Sequence, residues 1–196
     1  MTLARTSEND PILVDFLPQQ SVRTRGKLGM TCAPGKKHQG MHFLWDRDLS
    51  QDLDRLQCHY RVNWLISLLE DLELEAVQIP GLFSEAHHRG IQTRRFPIPD
   101  MQIPLSMVDV VRLVQDMLVL LEQGNRVVVH CMGGLGRTGV ITACCLIALG
   151  YLPEQAMALV RQTRQYTIET RPQENFIVEF SQAWIPDLEN LPLVIS

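Results

Sequence analysis

Residues 126–139 read RVVVHCMGGLGRTG, and this stretch predicts a strand, a loop and a helix in succession. The β-branched run at residues 127–129 is typical of a buried strand. Glycine occupies three of the five positions between Cys131 and Arg137. The apolar run at residues 138–149 indicates a helix. Cys131 is therefore expected at the C-terminal end of a strand, followed by a glycine-rich loop that leads into a helix.

Strand and helix patterns alternate along the rest of the chain. Apolar runs predict strands at residues 12–17, 27–32 and 62–69. Apolar periodicity and capping signals predict helices at residues 46–59, from Ser106 to the stop at Gly124, and from Pro153 and Pro172 onward. This alternation predicts an α/β domain with a mainly parallel central sheet flanked by helices.

Composition and charge narrow the class of protein. Apolar residues make up 45% of the 196 residues and charged residues 20%, which is enough to build a sizeable core in a soluble protein. The net charge of −4 argues against nonspecific binding to nucleic acid or to an anionic membrane. The longest apolar run, at residues 140–150, is too short to span a bilayer. Five cysteines without a CxxC pair, and a polar N-terminus, predict free thiols in the cytoplasm.

The glycine loop has the features of an anion site. Gly133, Gly134 and Gly136 allow successive backbone N–H groups to point into one concavity, and the following helix adds its N-terminal partial charge. Arg137 can bind two phosphoryl oxygens through its guanidinium group. The same positive field favours the thiolate of Cys131, which is then placed to attack phosphorus. The alternatives are a structural cysteine beside a strand–helix turn and a glycine-rich cofactor loop.

A phosphoester also needs a proton donor for its leaving group. Asp100 follows the rigid segment at residues 96–99 and is the candidate general acid and base, although an aspartate after proline also suits a turn. Thr138 either donates its hydroxyl to the sulfur or caps the helix. His130 either orients the loop through its ring nitrogens or satisfies backbone groups.

These residues resemble a known signature. His130-Cys131-x5-Arg137-Thr138 is similar to that of the cysteine-dependent protein tyrosine phosphatases, and an aspartate 31 residues before the cysteine is similar in order and spacing to their dual-specificity branch. Within that branch, the loop sequence, Leu28-Gly29 before a Pro-Gly-Lys turn, and Gln173-x-Asn175-Phe176 resemble the kinase-associated phosphatase group, which is also called cyclin-dependent kinase inhibitor 3-like. The resemblance spans roughly residues 25–182.

The resemblance implies a fold with four or five strands and a role for each matching residue. Cys131 would form a phosphocysteine, Asp100 would act as acid and base, and Thr138 would assist breakdown of the intermediate. Gln173 would help to place the hydrolytic water, although glutamine is also common at exposed helix starts. The phosphate would be bound by the side chain of Arg137 and by the loop amides of Met132, Gly133, Gly134, Leu135, Gly136 and Arg137.

The resemblance also implies substrates and an organisation of the chain. The substrate would be a phosphoprotein, a kinase being one candidate, that carries phosphotyrosine, phosphoserine or phosphothreonine. Inositol lipids are less favoured as substrates, because the loop has no lysine. No metal or cofactor is expected, and the oligomeric state is left open. We expect a catalytic domain at residues 25–185, a partly flexible extension with a candidate edge strand at 1–24, and a tail at 186–196.

Two other functions stay open at this stage. The loop also suits a phosphate-binding module that does not turn over, or a thiol redox or sulfur-transfer enzyme that does not need Asp100. A low-pKa thiolate is prone to oxidation, so Cys32 or Cys58 is a candidate to cap Cys131 reversibly.

Overall fold

The computed structural model describes residues 4–40 and 43–184. Within these ranges the strands are β1 (Asp15–Phe16), β2 (Lys27–Thr31), β3 (Lys37–Gln39), β4 (Leu44–Asp46), β5 (Trp64–Ser67), β6 (Gln92–Arg95) and β7 (Arg126–His130). The helices are α1 (Gln19–Val22), α2 (Leu49–Asp54), α3 (Asp71–Ala76), α4 (Leu82–His88), α5 (Met107–Glu122), α6 (Gly136–Ala148), α7 (Pro153–Thr163) and α8 (Arg171–Ala183). A π-helical turn, Arg55–His59, continues α2.

The main sheet has the strand order β1-β2-β7-β5-β6 in the described part of the chain. β7 lies in its centre and pairs in parallel with β2 and β5, while β6 pairs in parallel with β5. β1 is antiparallel to β2 and forms one edge. β3 and β4 form a separate antiparallel hairpin. The prediction of a mainly parallel sheet of four to five strands is confirmed.

Both faces of the central strand are buried, which explains its continuous apolar sequence. Val127 and Val129 pack into the core formed with α5, α6 and α8 on one face. Val128 points into a second core on the other face, where it meets Leu53 of α2 and Leu82 of α4. Because four neighbouring strands are parallel, the loops after their carboxyl ends meet at one edge of the sheet.

Several predicted boundaries differ from the structure. The helix expected at residues 46–59 begins at Leu49, because Asp46 ends β4 and Asp48 is the N-cap, accepting a hydrogen bond from the Gln51 amide at 2.8 Å. The strand expected at residues 12–17 is limited to β1. Ile12 and Leu17, on either side of β1, are buried nonetheless.

The division of the chain at residues 24 and 185 stays a prediction, and the expected tail at 186–196 lies outside the described residues. Among the helices of the described ranges, none combines the length and apolar character that a bilayer span requires.

Candidate active site

The glycine loop begins where the central strand ends. His130 is the last residue of β7, Cys131 follows with 3% of its surface exposed, and α6 starts at Gly136. Gly134 has φ +72°, and a Cβ at this position would lie 2.1 Å from the carbonyl oxygen of Thr31. Only glycine fits such a conformation against the end of β2. The sequence therefore allows the loop to turn sharply beside the neighbouring strand.

Two cationic side chains hold the loop from outside. Lys36 Nζ donates to the Met132 carbonyl oxygen at 3.1 Å. Arg164 donates from Nη2 to the Gly133 carbonyl at 3.0 Å and from Nε to the Gly134 carbonyl at 2.8 Å. In a planar trans peptide the C=O and the following N–H point in opposite directions. Fixing three successive carbonyls on one side therefore directs the next three N–H groups to the other side, as an anion cradle requires.

Arg137 lies in the first turn of α6 and is almost fully buried. Its Nη1 and Nη2 donate to the two carboxylate oxygens of Glu73 at 2.7 and 2.8 Å, and Nη1 also donates to the Ile98 carbonyl at 2.8 Å. Burial by itself lowers the pKa of Arg137, but the Glu73 hydrogen bonds and the negative charges of Cys131, Glu73 and Asp100 raise it above its ordinary value. The guanidinium is therefore a permanent, oriented cation.

Asp100 reaches the same guanidinium from the loop after β6. Its Oδ1 lies 2.7 Å from Arg137 Nη2, and its side chain is 62% exposed. A turn closed by the Gln102 amide and the Pro99 carbonyl, at 3.1 Å, holds it there. Met101, the next residue, has φ +58°, a conformation that costs energy in a residue other than glycine. The structure thus places the predicted acid at the predicted phosphate-binding arginine.

His130 is fully buried behind the loop. Its Nδ1 lies 3.3 Å from the Cys131 carbonyl oxygen, while Nε2 has no hydrogen-bond partner among the described residues. Burial lowers the pKa of His130 to about 4, and the charge of Arg137 lowers it further while the Cys131 backbone contact opposes the shift. The imidazole is therefore neutral near pH 7, and its contact is with the backbone of Cys131.

Thr138 does not cap α6. The N-cap position is Leu135, and the Thr138 hydroxyl is buried without a hydrogen-bond partner in the described part of the chain. An interaction between this hydroxyl and the sulfur stays a prediction.

Gln173 is buried at the start of α8, so the alternative of an exposed glutamine is wrong. Its Oε1 accepts from the backbone amide of Glu169 at 2.8 Å, and its Nε2 donates to the Gln102 carbonyl at 3.4 Å. The Glu169 carboxylate in turn accepts from the Gly136 amide at 2.8 Å. Gln173 therefore links the Asp100 loop to the segment that borders the start of α6.

The remaining cysteines lie in contrasting environments. Cys144 and Cys145 are buried in α6, and burial raises the pKa of Cys145 to about 12, so these thiols are unreactive at neutral pH. Cys58 is exposed on the π-helical turn. Cys32 is partly exposed and directly follows β2, which pairs with β7, the strand that ends at His130.

Four residues at the site were not identified from the sequence: Lys36, Glu73, Arg164 and Glu169. Glu73 had a local signal, because a glutamate three residues after an N-cap often binds the N-cap amide, and its carboxylate accepts from the Glu70 amide at 3.0 Å. The other residues had no local signal, since a single Lys, Arg or Glu in a loop is usually solvated.

The comparison with protein families agrees with this geometry. Residues 40–151 match the model described as "Tc-R-P: Polymorphic toxin system, DSP-PTPase phosphatase". The chain belongs to this DSP-PTPase family. It is a dual-specificity protein tyrosine phosphatase by family, and the predicted enzyme class is confirmed.

Similar proteins and solved structures match this phosphatase over most of their own length. The pig protein "Cyclin-dependent kinase inhibitor 3" is 28% identical over 176 residues, which is 88% of this chain and 80% of that protein. The crystal structure of a kinase associated phosphatase, with its catalytic site cysteine replaced by serine, is 26% identical and superposes with a TM-score of 0.80, covering 89% of this chain and 98% of that one. The active form of Tk-PTP is 25% identical, with a TM-score of 0.66 and coverage of 81% and 94%.

Proposed function

We propose that this phosphatase hydrolyses phosphomonoesters through a covalent intermediate on Cys131. The Cys131 thiolate attacks phosphorus, a P–S bond forms, and the P–O bond to the leaving group breaks. Asp100 gives its proton to the departing oxygen. Arg137 and the inward N–H groups of the loop stabilise the charge on the phosphoryl oxygens.

Water then completes the reaction. Asp100, now ionised, takes a proton from the attacking water, the P–S bond breaks, and inorganic phosphate and the Cys131 thiolate are released. The buried hydroxyl of Thr138 assists departure of the sulfur. Gln173 supports this step by holding the Gln102 backbone and the Glu169 segment together at the edge of the site.

One observation carries this proposal. The carboxylate of Asp100 lies 2.7 Å from the guanidinium of Arg137. This contact supports the proposal, because Asp100, 31 residues before the cysteine, lies close to where a phosphate bound by Arg137 would be. A phosphate-binding module or a sulfur-transfer enzyme has no need for this acid.

We propose that the substrate is a phosphoprotein in the cytoplasm. The similarity to proteins named for kinase association and cyclin-dependent kinase inhibition makes a phosphorylated kinase the first candidate. All five cysteines are free, which suits a reducing compartment. The loop positions between Cys131 and Arg137 carry no lysine, which favours a phosphoprotein over an inositol lipid.

The test is p-nitrophenyl phosphate hydrolysis by the full chain in EDTA, followed by a panel of phosphotyrosine, phosphothreonine and phosphoinositide substrates. We expect Cys131→Ser to be inactive on every substrate, and Asp100→Ala to lose about 100-fold or more in kcat with the phosphotyrosine substrate, whose phenolate needs a proton as it leaves. Cys58→Ser and Asp116→Ala, which change exposed residues, are the matched controls and should keep wild-type rates. An active Cys131→Ser protein, or activity that requires a metal, would overturn the mechanism.

The same variants separate the alternatives. Equal binding of a phosphopeptide by wild type and Cys131→Ser, with no phosphate released by either, would indicate a binding module. An unchanged rate of Asp100→Ala with thiosulfate or arsenate would indicate sulfur or redox chemistry.

A further inference from the structure

The side chain of Lys36 places a buried ammonium group next to the glycine loop at residues 132–136. Its surface is 3% exposed, its Nζ donates to the Met132 carbonyl at 3.1 Å, and it lies 3.9 Å from the centre of the Trp45 ring. An ammonium group has three donors. A buried charge that has neither a counter-charge nor full hydrogen bonding is costly, so its surroundings must supply compensation.

The neighbouring cations already have carboxylate partners. Arg47 forms a bidentate ion pair with Asp52, at 2.7 and 2.8 Å. Arg164 pairs with Asp15 at 2.5 Å. In the described part of the chain, Lys36 has no carboxylate oxygen within salt-bridge distance. Of this cluster of three cations, it alone lacks an acidic partner.

The acidic groups that act on Lys36 are thiols. Burial, the largest effect, and the charges of Arg47 and Arg164 lower the pKa of Lys36, while electrostatic interaction with Cys32, and more weakly with Cys131, raises it. The Arg137 guanidinium, on which the Cys131 charge also acts, is bound by both carboxylate oxygens of Glu73. His130 is neutral. Lys36 is therefore a cation, bound to the carbonyl of the residue after Cys131, whose charge no carboxylate offsets within the described residues.

We propose that Lys36 is the buried counter-ion of the Cys131 thiolate and a positioning residue for the phosphatase reaction. It acts through its charge and through the Met132 carbonyl, which also accepts from the Ala33 amide at 3.2 Å. This inference rests on the proposed role of Cys131 as nucleophile. Lys36 lies on the connection between β2 and β3, 95 positions before Cys131 in the chain. We infer that it contributes to the activation of the Cys131 thiol.

The experiment separates the charge of Lys36 from its hydrogen bond. Lys36→Gln removes the charge and keeps a donor for the Met132 carbonyl, whereas Lys36→Arg keeps the charge. Lys37→Met is the matched control, since Lys37 is half-exposed and pairs with Asp46 at 3.5 Å in the β3–β4 hairpin. Alkylation of Cys131 by iodoacetamide is followed from pH 5 to pH 9 on the full chain, and peptide mapping distinguishes Cys131 from the other thiols.

We expect Lys36→Gln to slow alkylation of Cys131 at least tenfold at pH 6, with little change at pH 9. Lys36→Arg should stay within threefold of wild type, and Lys37→Met should match it. An unchanged pH profile in Lys36→Gln, or a uniform loss at every pH, would overturn the proposal, as would a change confined to Cys32. Thermal melts show whether each variant folds. If Lys36→Gln does not fold, Lys36→Met in its place removes the same charge and decides the question.

The readout is independent of turnover. An active Cys131→Ser protein would overturn the proposed function, whereas the alkylation series reports only on the ionisation of the thiol.

Discussion

The carboxylate of Glu73 binds the guanidinium of Arg137 with both oxygens, at 2.7 Å from Nη1 and 2.8 Å from Nη2. Glu73 lies on α3 after β5, and Arg137 lies on α6 after β7. β5 and β7 are neighbours in the sheet, so their following elements meet at its edge. This pair fixes the plane of the guanidinium relative to the loop, so the arginine that we propose binds the phosphate is oriented before substrate arrives.

Replacing Glu73 by Gln should impair both activity and stability. The almost fully buried Arg137 loses its bidentate partner, which lowers stability by roughly 2–4 kcal/mol, and kcat/KM should fall about 10- to 100-fold. Glu75→Gln, which changes an exposed position on the same helix, is the control. Steady-state kinetics and urea unfolding measure the two effects, and wild-type kcat/KM in Glu73→Gln would contradict the role of this pair.

The two central glycines of the loop should respond very differently to alanine. At Gly134, with φ +72°, a Cβ would lie 2.1 Å from the Thr31 carbonyl oxygen, whereas at Gly133 the nearest atom would lie 3.5 Å away on the Leu135 side chain. We expect Gly134→Ala to lose at least about 3 kcal/mol of stability and most of the activity. Gly133→Ala should cost less than about 1 kcal/mol. Equal melting temperatures for the two variants would show that the turn is not under this constraint.

The strand, loop and helix around Cys131 could be predicted because they are contiguous in the sequence. The β-branched run, the glycines and the apolar helix each have a local pattern, and the structure has all three. Asp100 was found by its place after a proline and by its spacing from Cys131. Its contact with Arg137 forms because the loop after β6 and the start of α6 lie at the same edge of the sheet.

The charged residues that hold the site in place could not be predicted in this way. Glu73 is 64 positions from Arg137, and Lys36 is 96 positions from Met132. These contacts depend on the strand order β2-β7-β5-β6, which no local pattern specifies. Charged residues in loops are usually solvated, so a sequence alone gives no reason to bury Lys36 or to place Arg164 against two loop carbonyls.

His130 should make the fold sensitive to mild acid. Burial lowers the pKa of His130 to about 4 in the folded protein, against an ordinary value near 6.5 in the unfolded chain. Between these values the unfolded state binds more protons, so the free energy of unfolding falls as the pH is lowered from 6.5 to 4, by roughly 3 kcal/mol from this group.

Urea unfolding of wild type and His130→Gln across that pH range tests this dependence. The variant should lose most of the slope, whatever its stability at pH 7. His88→Gln, which changes an exposed histidine on α4, should keep the slope. An identical slope in His130→Gln and wild type would mean that His130 is protonated in the folded protein as readily as in the unfolded chain.

The contribution of Asp100 should depend on the leaving group. A p-nitrophenolate departs readily without a proton, whereas a phenolate needs general-acid help. Asp100→Ala should therefore lose at least about tenfold more in kcat with phenyl phosphate than with p-nitrophenyl phosphate. Asp116→Ala should hydrolyse both substrates with the kcat of the wild type. An equal loss on the two substrates would assign Asp100 to phosphate binding instead of proton transfer.

Cys32 should protect Cys131 from irreversible oxidation. The register of β2 and β7 ends with Thr31 opposite His130, and Cys32 and Cys131 are the residues that directly follow this pair. Neighbouring strands are about 4.8 Å apart, which lies within the Cα separation that a disulfide allows, about 4.4–6.8 Å. Hydrogen peroxide would convert the Cys131 thiolate to a sulfenic acid, and the Cys32 thiol would then displace water to form the disulfide.

Treatment with equimolar peroxide followed by dithiothreitol measures this protection. Wild type should lose activity and regain most of it, and mass spectrometry of the oxidised protein should show a Cys32–Cys131 peptide two mass units lighter than its reduced form. Cys32→Ser should regain several-fold less activity and accumulate sulfinic acid at Cys131. Cys58→Ser should recover like wild type, because Cys58 lies on the exposed π-helical turn. Full recovery in Cys32→Ser would mean that the two thiols do not form this bond, whatever the separation of their backbones.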